Sequence, residues 1–77
     1  MTLYTALVIQ NQGNNIRCES IGRDKKTGKW AGAINLYHDG SFHTMLVSSK
    51  PIFKSSSEAV KHMREIVRKI RAAKNLP

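Results

Sequence analysis

The sequence predicts an α+β fold: a three- to four-stranded antiparallel sheet packed against one C-terminal amphipathic helix, in the order β-β-β-β-α. Three observations predict it. Short segments rich in β-formers recur between turn-forming residues over the first two-thirds of the chain. An Asp39-Gly40 pair separates two of them at hairpin spacing. From Ala59 onward the apolar residues change to steps of three and four, the period of a helix. The whole chain, 77 residues, reads as one small domain. A chain of this length buries roughly 60% of its unfolded surface, so its core is thin and a binding surface is favoured over a deep cleft.

Leu3-Tyr4-Thr5-Ala6-Leu7-Val8-Ile9 is rich in β-formers, carries no basic leader, and reads as the first strand. Gln10 to Asn15 is polar with one glycine and reads as a loop. Ile16 to Ile21 reads as the second strand, and Arg23 to Gly28 as a charged turn. Lys29 to Tyr37 is the third strand, with Trp30, Gly32, Ile34 and Leu36 on one face. Ser41 to Val47 is the fourth. A three-residue His38-Asp39-Gly40 loop would place Leu36 opposite Phe42, Ile34 opposite Thr44 and Gly32 opposite Leu46, with the apolar sets on one face. A two-residue Asp39-Gly40 turn would instead put Phe42 beside Tyr37 and His43 beside Leu36, and the first is preferred because a one-residue slip turns the apolar set outward. Ala31, Ala33, Asn35, Tyr37, His43, Met45 and Val47 would then face away, joined by Arg17 and Glu19. Pro51 ends the strand region, and Ile52 and Phe53 are expected to enter the core.

The helix begins at Ser55. Ser55 and Glu58 have capping-box spacing, in which the hydroxyl accepts from the Glu58 N–H and the carboxylate reaches back to the Ser55 N–H. Ala59, Val60, Met63, Ile66, Val67, Ile70 and Ala73 form one apolar stripe suited to lying across a sheet. Asn75-Leu76-Pro77 is expected to fray with Lys74.

The charge is the loudest compositional signal: 13 Lys and Arg against 5 Asp and Glu, a net +8. Such a field attracts nucleic acid, an anionic membrane surface or an acidic protein surface. No membrane partner is expected, because the sheet needs the helix's apolar stripe for its core. No stretch approaches the ~20 apolar residues of a membrane span. The single cysteine, Cys18, cannot close an internal disulfide and points to a reducing cytoplasm.

The charge concentrates in two places. Lys61, Arg64, Arg68 and Arg71 step by three and four residues, within roughly an 80° arc of the helix, away from the apolar stripe. Such a row can track phosphates or serve as a solvated face. Glu65 can pair with Lys69 four residues on. The second place is the turn, where Arg23, Lys25, Lys26 and Lys29 outnumber Asp24. A basic hairpin tip is suited to a phosphate backbone. On the outward sheet face Asn35, Tyr37 and His43 are the candidates for base contact, and the same face can serve as a protein interface. One Cys and three His at unrelated spacings make no zinc signature, and neither paired carboxylates nor a glycine-rich phosphate loop is evident. No enzyme, metal or cofactor is expected.

Lys29-Trp30-Ala31 opening a strand, Asp39-Gly40 in a turn, and Phe53-Lys54-Ser55-Ser56-Ser57-Glu58-Ala59 entering a helix resemble the three-strand-plus-helix DNA-binding domains of the plant ethylene-response-factor type and the N-terminal arm-binding type of some integrases. The resemblance covers about 60% of the chain. It implies a sheet face that enters the major groove of DNA. Those families present several Arg and Trp on that face, whereas here the face carries Asn35, Tyr37, His43 and Arg17, and the charge sits on the helix and one turn. The expectation is a non-enzymatic nucleic-acid-binding domain, for DNA or RNA. The alternative is a small protein-interaction module, an adaptor or inhibitor of a larger complex or a homodimer through the sheet.

Overall fold

The computed structural model describes residues 2–8 and 14–74. Its elements are α1 (Leu3–Val8), β1 (Asn14–Arg23), β2 (Trp30–His38), β3 (Ser41–Ser48) and α2 (Ser56–Ala73). The strands form one antiparallel sheet in the order β1-β2-β3. The α+β class, the antiparallel sheet and the C-terminal helix are as the sequence predicts. The expected loop at 10–13, with Ile9 before it, and the expected frayed end at 75–77 lie outside the described residues.

The expected first strand is instead a helix. Leu3, Ala6 and Leu7, at helical spacing, are the buried residues of α1. Thr2 starts it: its Oγ1 accepts from the Thr5 N–H at 3.2 Å and its carbonyl from the Ala6 N–H at 3.0 Å. That capping and that one-sided burial outweigh the β-former content of the segment, since β-propensity depends on context. Asn14 and Asn15, expected in a loop, open β1 opposite His38 and Tyr37.

The β2–β3 turn is two residues, not three. Asp39 (φ 49°) and Gly40 (φ 84°) both take the left-handed region, the signature of a type I′ turn, and Tyr37 pairs with Phe42. Irregularities between Leu36 and Tyr37 and between Ile34 and Asn35 leave Thr44 opposite Leu36 and Val47 opposite Ile34. The extra residues are bulges, and they return the ladder to a register with Ile34 and Leu36 buried. Phe42 therefore lies on the open face at 57% exposure, while Val47 joins Leu46 against the core; both differ from expectation.

The core cluster is Leu3, Leu7, Ile34, Met63 and Val67, so both helices share one side of the sheet. Gly32 marks the closest approach: a Cβ there would sit 2.9 Å from Met63 Cγ and 3.1 Å from the Ala59 carbonyl oxygen. The segment after β3 stays beside β2. Ser49 and Gly32 exchange a backbone bond and a side-chain bond, and Phe53 and Trp30 exchange two backbone bonds. Phe53 packs on the core as expected, but Ile52 is exposed. Ser55 caps α2, accepting from the Glu58 N–H at 3.1 Å. The return bond shifts by one residue: the Glu58 carboxylate accepts from the Lys54 N–H at 3.1 Å. The apolar stripe ends at Ile70; Ala73 is exposed.

Candidate nucleic-acid interface

β1 is an edge strand, and α2 crosses beside it. Between them lies a groove of about 590 Å³. Ile16, Arg17, Cys18 and Glu19 form its strand wall; Arg64, Val67, Arg68 and Arg71 form its helix wall. The helical spacing of the arginines puts them on one flank of α2, while Val67 from the neighbouring stripe closes the floor against the core. Burial pushes the Cys18 thiol up, against the opposing pull of Arg64 and Arg71. Four guanidiniums on one groove form a positive field suited to anions, and Arg in particular to phosphate.

Two corrections apply to the helix row. Glu65 pairs with Arg68, not Lys69: Arg68 Nη2 donates to Glu65 Oε2 at 2.8 Å and Arg68 Nε to Oε1 at 3.0 Å. The i,i+3 bond lets the planar guanidinium meet the carboxylate with two nitrogens, which a lysine ammonium cannot do. It holds Glu65 below the usual carboxylate range and answers part of the Arg68 charge. Lys61 stands apart from the groove, beside a hollow lined by Phe53, Glu58, His62 and Glu65.

The sheet face turned away from the helices is organised by one carboxylate oxygen. Glu19 Oε1 accepts from Tyr37 Oη at 2.6 Å and from Asn35 Nδ2 at 3.0 Å. These bonds, Tyr37 first, lower the Glu19 pKa and raise that of Tyr37. The Arg17 guanidinium carbon lies 4.3 Å from the Tyr37 ring centroid, a cation–π contact. Phe42 meets Tyr37 edge to face, with centroids 5.8 Å apart. Asn35 is buried, and its Oδ1 has no hydrogen-bond partner among the described residues. Asn35 and Tyr37 are thus brought together, whereas His43 lies in the bulge region of β3 between Phe42 and Thr44, exposed.

Lys25, Lys26 and Lys29 are exposed at the β1–β2 tip. The tip is shaped by its own bonds: Asp24 Oδ1 accepts from the Lys26 N–H at 2.8 Å, and Gly28 closes it at φ 71°. Two contributors escaped the sequence reading. Arg17 is expected on the sheet face, and the structure places it on the groove as well. Phe42 is expected in the core, and the two-residue turn, by pairing it with Tyr37, exposes it. Among the described residues no group of three or more His, Cys, Asp or Glu is gathered to hold a metal, and no helix is long and apolar enough to cross a membrane. No protein-family model, curated protein or solved structure matches this chain.

Proposed function

We propose that the protein is a non-enzymatic nucleic-acid-binding domain that grips the phosphate backbone through the arginine groove between α2 and β1. The observation that carries this reading is the convergence of Arg17, Arg64, Arg68 and Arg71 on one groove, in a chain of net charge +8. Lys25, Lys26, Lys29 and Lys61 supply further positive charge outside the groove, and Asn35, Tyr37 and His43 remain the candidates for base contact. A cytoplasmic location accords with the single unpaired cysteine. Binding titrations at two salt concentrations test the proposal. If five phosphates of a duplex are neutralised, log affinity falls with log salt at a slope of about −4.5. Arg64→Glu with Arg68→Glu abolishes binding, while the melting point moves little, because an exposed ion pair is worth roughly 0–1 kcal/mol. Absence of binding by the unmodified protein at about 50 mM salt overturns the proposal.

A second reading rests on a different observation. Phe42 and Met45 are 57% and 45% exposed on the open sheet face. Such a patch suits a protein-interaction module that self-associates through the sheet. Sedimentation would then give a concentration-dependent mass, lost on Met45→Lys or Tyr37→Ala. A constant monomer mass rejects the self-associating form.

A further inference from the structure

We propose that the nucleic acid bound is single-stranded, with phosphates in the arginine groove and at least one base stacked on Phe42 of β3, across the open sheet face. This rests on the nucleic-acid reading and sharpens it. The groove is not isolated from the sheet face. Arg17 lines the groove and also lies 4.3 Å from the Tyr37 ring centroid. Tyr37 in turn meets Phe42 edge to face at 5.8 Å. A path of guanidinium, phenol and phenyl therefore leads from the helix arginines across the sheet. Phe42, at 57% exposure, is the exposed aromatic ring at the β3 end of that path.

Exposing a phenyl ring to water costs free energy, and an unpaired base is one ligand that recovers it by stacking. The bases of a duplex are stacked on one another and offer only phosphates and groove edges. A groove of about 590 Å³ is of the size that holds a nucleotide-scale group. Glu19 sets the boundary. Its carboxylate, held by Tyr37 and Asn35, belongs to the strand wall of the groove, so phosphate is favoured along the helix wall beside Arg64, Arg68 and Arg71, and the base reaches over the sheet.

The test uses fluorescence anisotropy with labelled single-stranded DNA and RNA of about 12 nucleotides and the DNA duplex of the same sequence, at about 50 mM salt. The single strand, as DNA or RNA, binds more tightly than the duplex. Phe42→Ala weakens single-strand binding by about 5- to 150-fold, the loss of one base–aromatic stack, and leaves duplex binding unchanged. The salt slope of the single strand stays the same in that variant, since no phosphate contact is removed; Arg64→Ala reduces it by about 0.7. Phe42→Tyr keeps the ring and restores affinity, which separates stacking from a folding defect. Equal affinity for duplex and single strand with no effect of Phe42→Ala overturns this inference and leaves the phosphate reading intact. Failure of every probe to bind overturns both.

Discussion

Gly32 is the position where one added methyl group tests the whole architecture. In Gly32→Ala the new Cβ would lie 2.9 Å from Met63 Cγ, 3.0 Å from Met63 Cε and 3.1 Å from the Ala59 carbonyl oxygen. The Met63 terminal methyl can swing away. Its Cγ and the Ala59 carbonyl cannot, because Met63 is 1% and Ala59 0% exposed and both are fixed by α2. Replacing a strand glycine with alanine gains roughly 0.5–1 kcal/mol of chain entropy. Overpacking costs about 1–3 kcal/mol. The net expectation is a loss of up to about 2.5 kcal/mol, or up to about 20 °C in melting temperature for a domain of this size. Thermal and urea denaturation followed by circular dichroism measure it. A double-mutant cycle identifies the cause. Met63→Ala alone opens a cavity costing about 2–5 kcal/mol, but in the Gly32→Ala background it also relieves the clash, so the two losses are less than additive by about 0.5–3 kcal/mol. A clearly stabilising Gly32→Ala, or strict additivity in the cycle, would show that α2 does not cross β2 at this point.

Three further outcomes follow from particular contacts. Ser55→Ala removes the acceptor for the Glu58 N–H and lowers stability by about 1 kcal/mol in urea denaturation, whereas Ser55→Asp retains it. Leu7→Ala, in a residue 7% exposed, lowers stability by about 2 kcal/mol or more; a loss below about 0.5 kcal/mol would mean that α1 is not docked on the core. Glu19 has a folded-state pKa lowered by Tyr37 and Asn35, so its contribution is present above the ordinary value of about 4.3 and is lost as pH falls through the lower folded value. Melting temperature should therefore drop less steeply in Glu19→Gln than in the unmodified protein on acidification below about pH 4.3, and parallel curves would refute the assignment.

The elements that a sequence announces through side chains were legible; those set by backbone geometry were not. The α2 cap could be read because Ser55 and Glu58 have the spacing that a helix N-terminus uses, and the core stripe because Ala59, Met63 and Val67 repeat at its period. The Asp39-Gly40 turn was visible, but its length was not. Two bulges in β3 let a two-residue turn coexist with an inward-facing Ile34 and Leu36, and nothing in the alternation of Ser41 to Val47 encodes a bulge. α1 was hidden because Tyr4, Thr5 and Val8 are β-formers, although Leu3, Ala6 and Leu7 already carried the helical spacing and Thr2 the cap. The site follows the same division. The arginines could be grouped by helical period, while their partner Arg17 and the edge-to-face Tyr37–Phe42 pair required the observed strand pairing.

The arginine groove and the exposed pair Phe42 and Met45 lie at opposite edges of the sheet, linked across it by the Arg17–Tyr37 and Tyr37–Phe42 contacts. On the open face the central strand presents Ala31, Ala33 and Asn35, which are buried although both helices pack on the other side. Glu19 reaches from β1 to Asn35 and Tyr37 on this face. Positive charge therefore gathers where β1 meets α2, and apolar exposure gathers on β3 at Phe42 and Met45. Met45 pairs with Asn35 and has no part in the arginine groove. A lysine at Met45 would place charge in a self-associating patch while adding to the field that draws a polyanion. Glutamate at Arg64 and Arg68 would remove that field without touching the patch. Opposite responses to these two changes distinguish a phosphate-binding edge from a sheet-to-sheet contact, because a single surface serving both roles would lose both activities together.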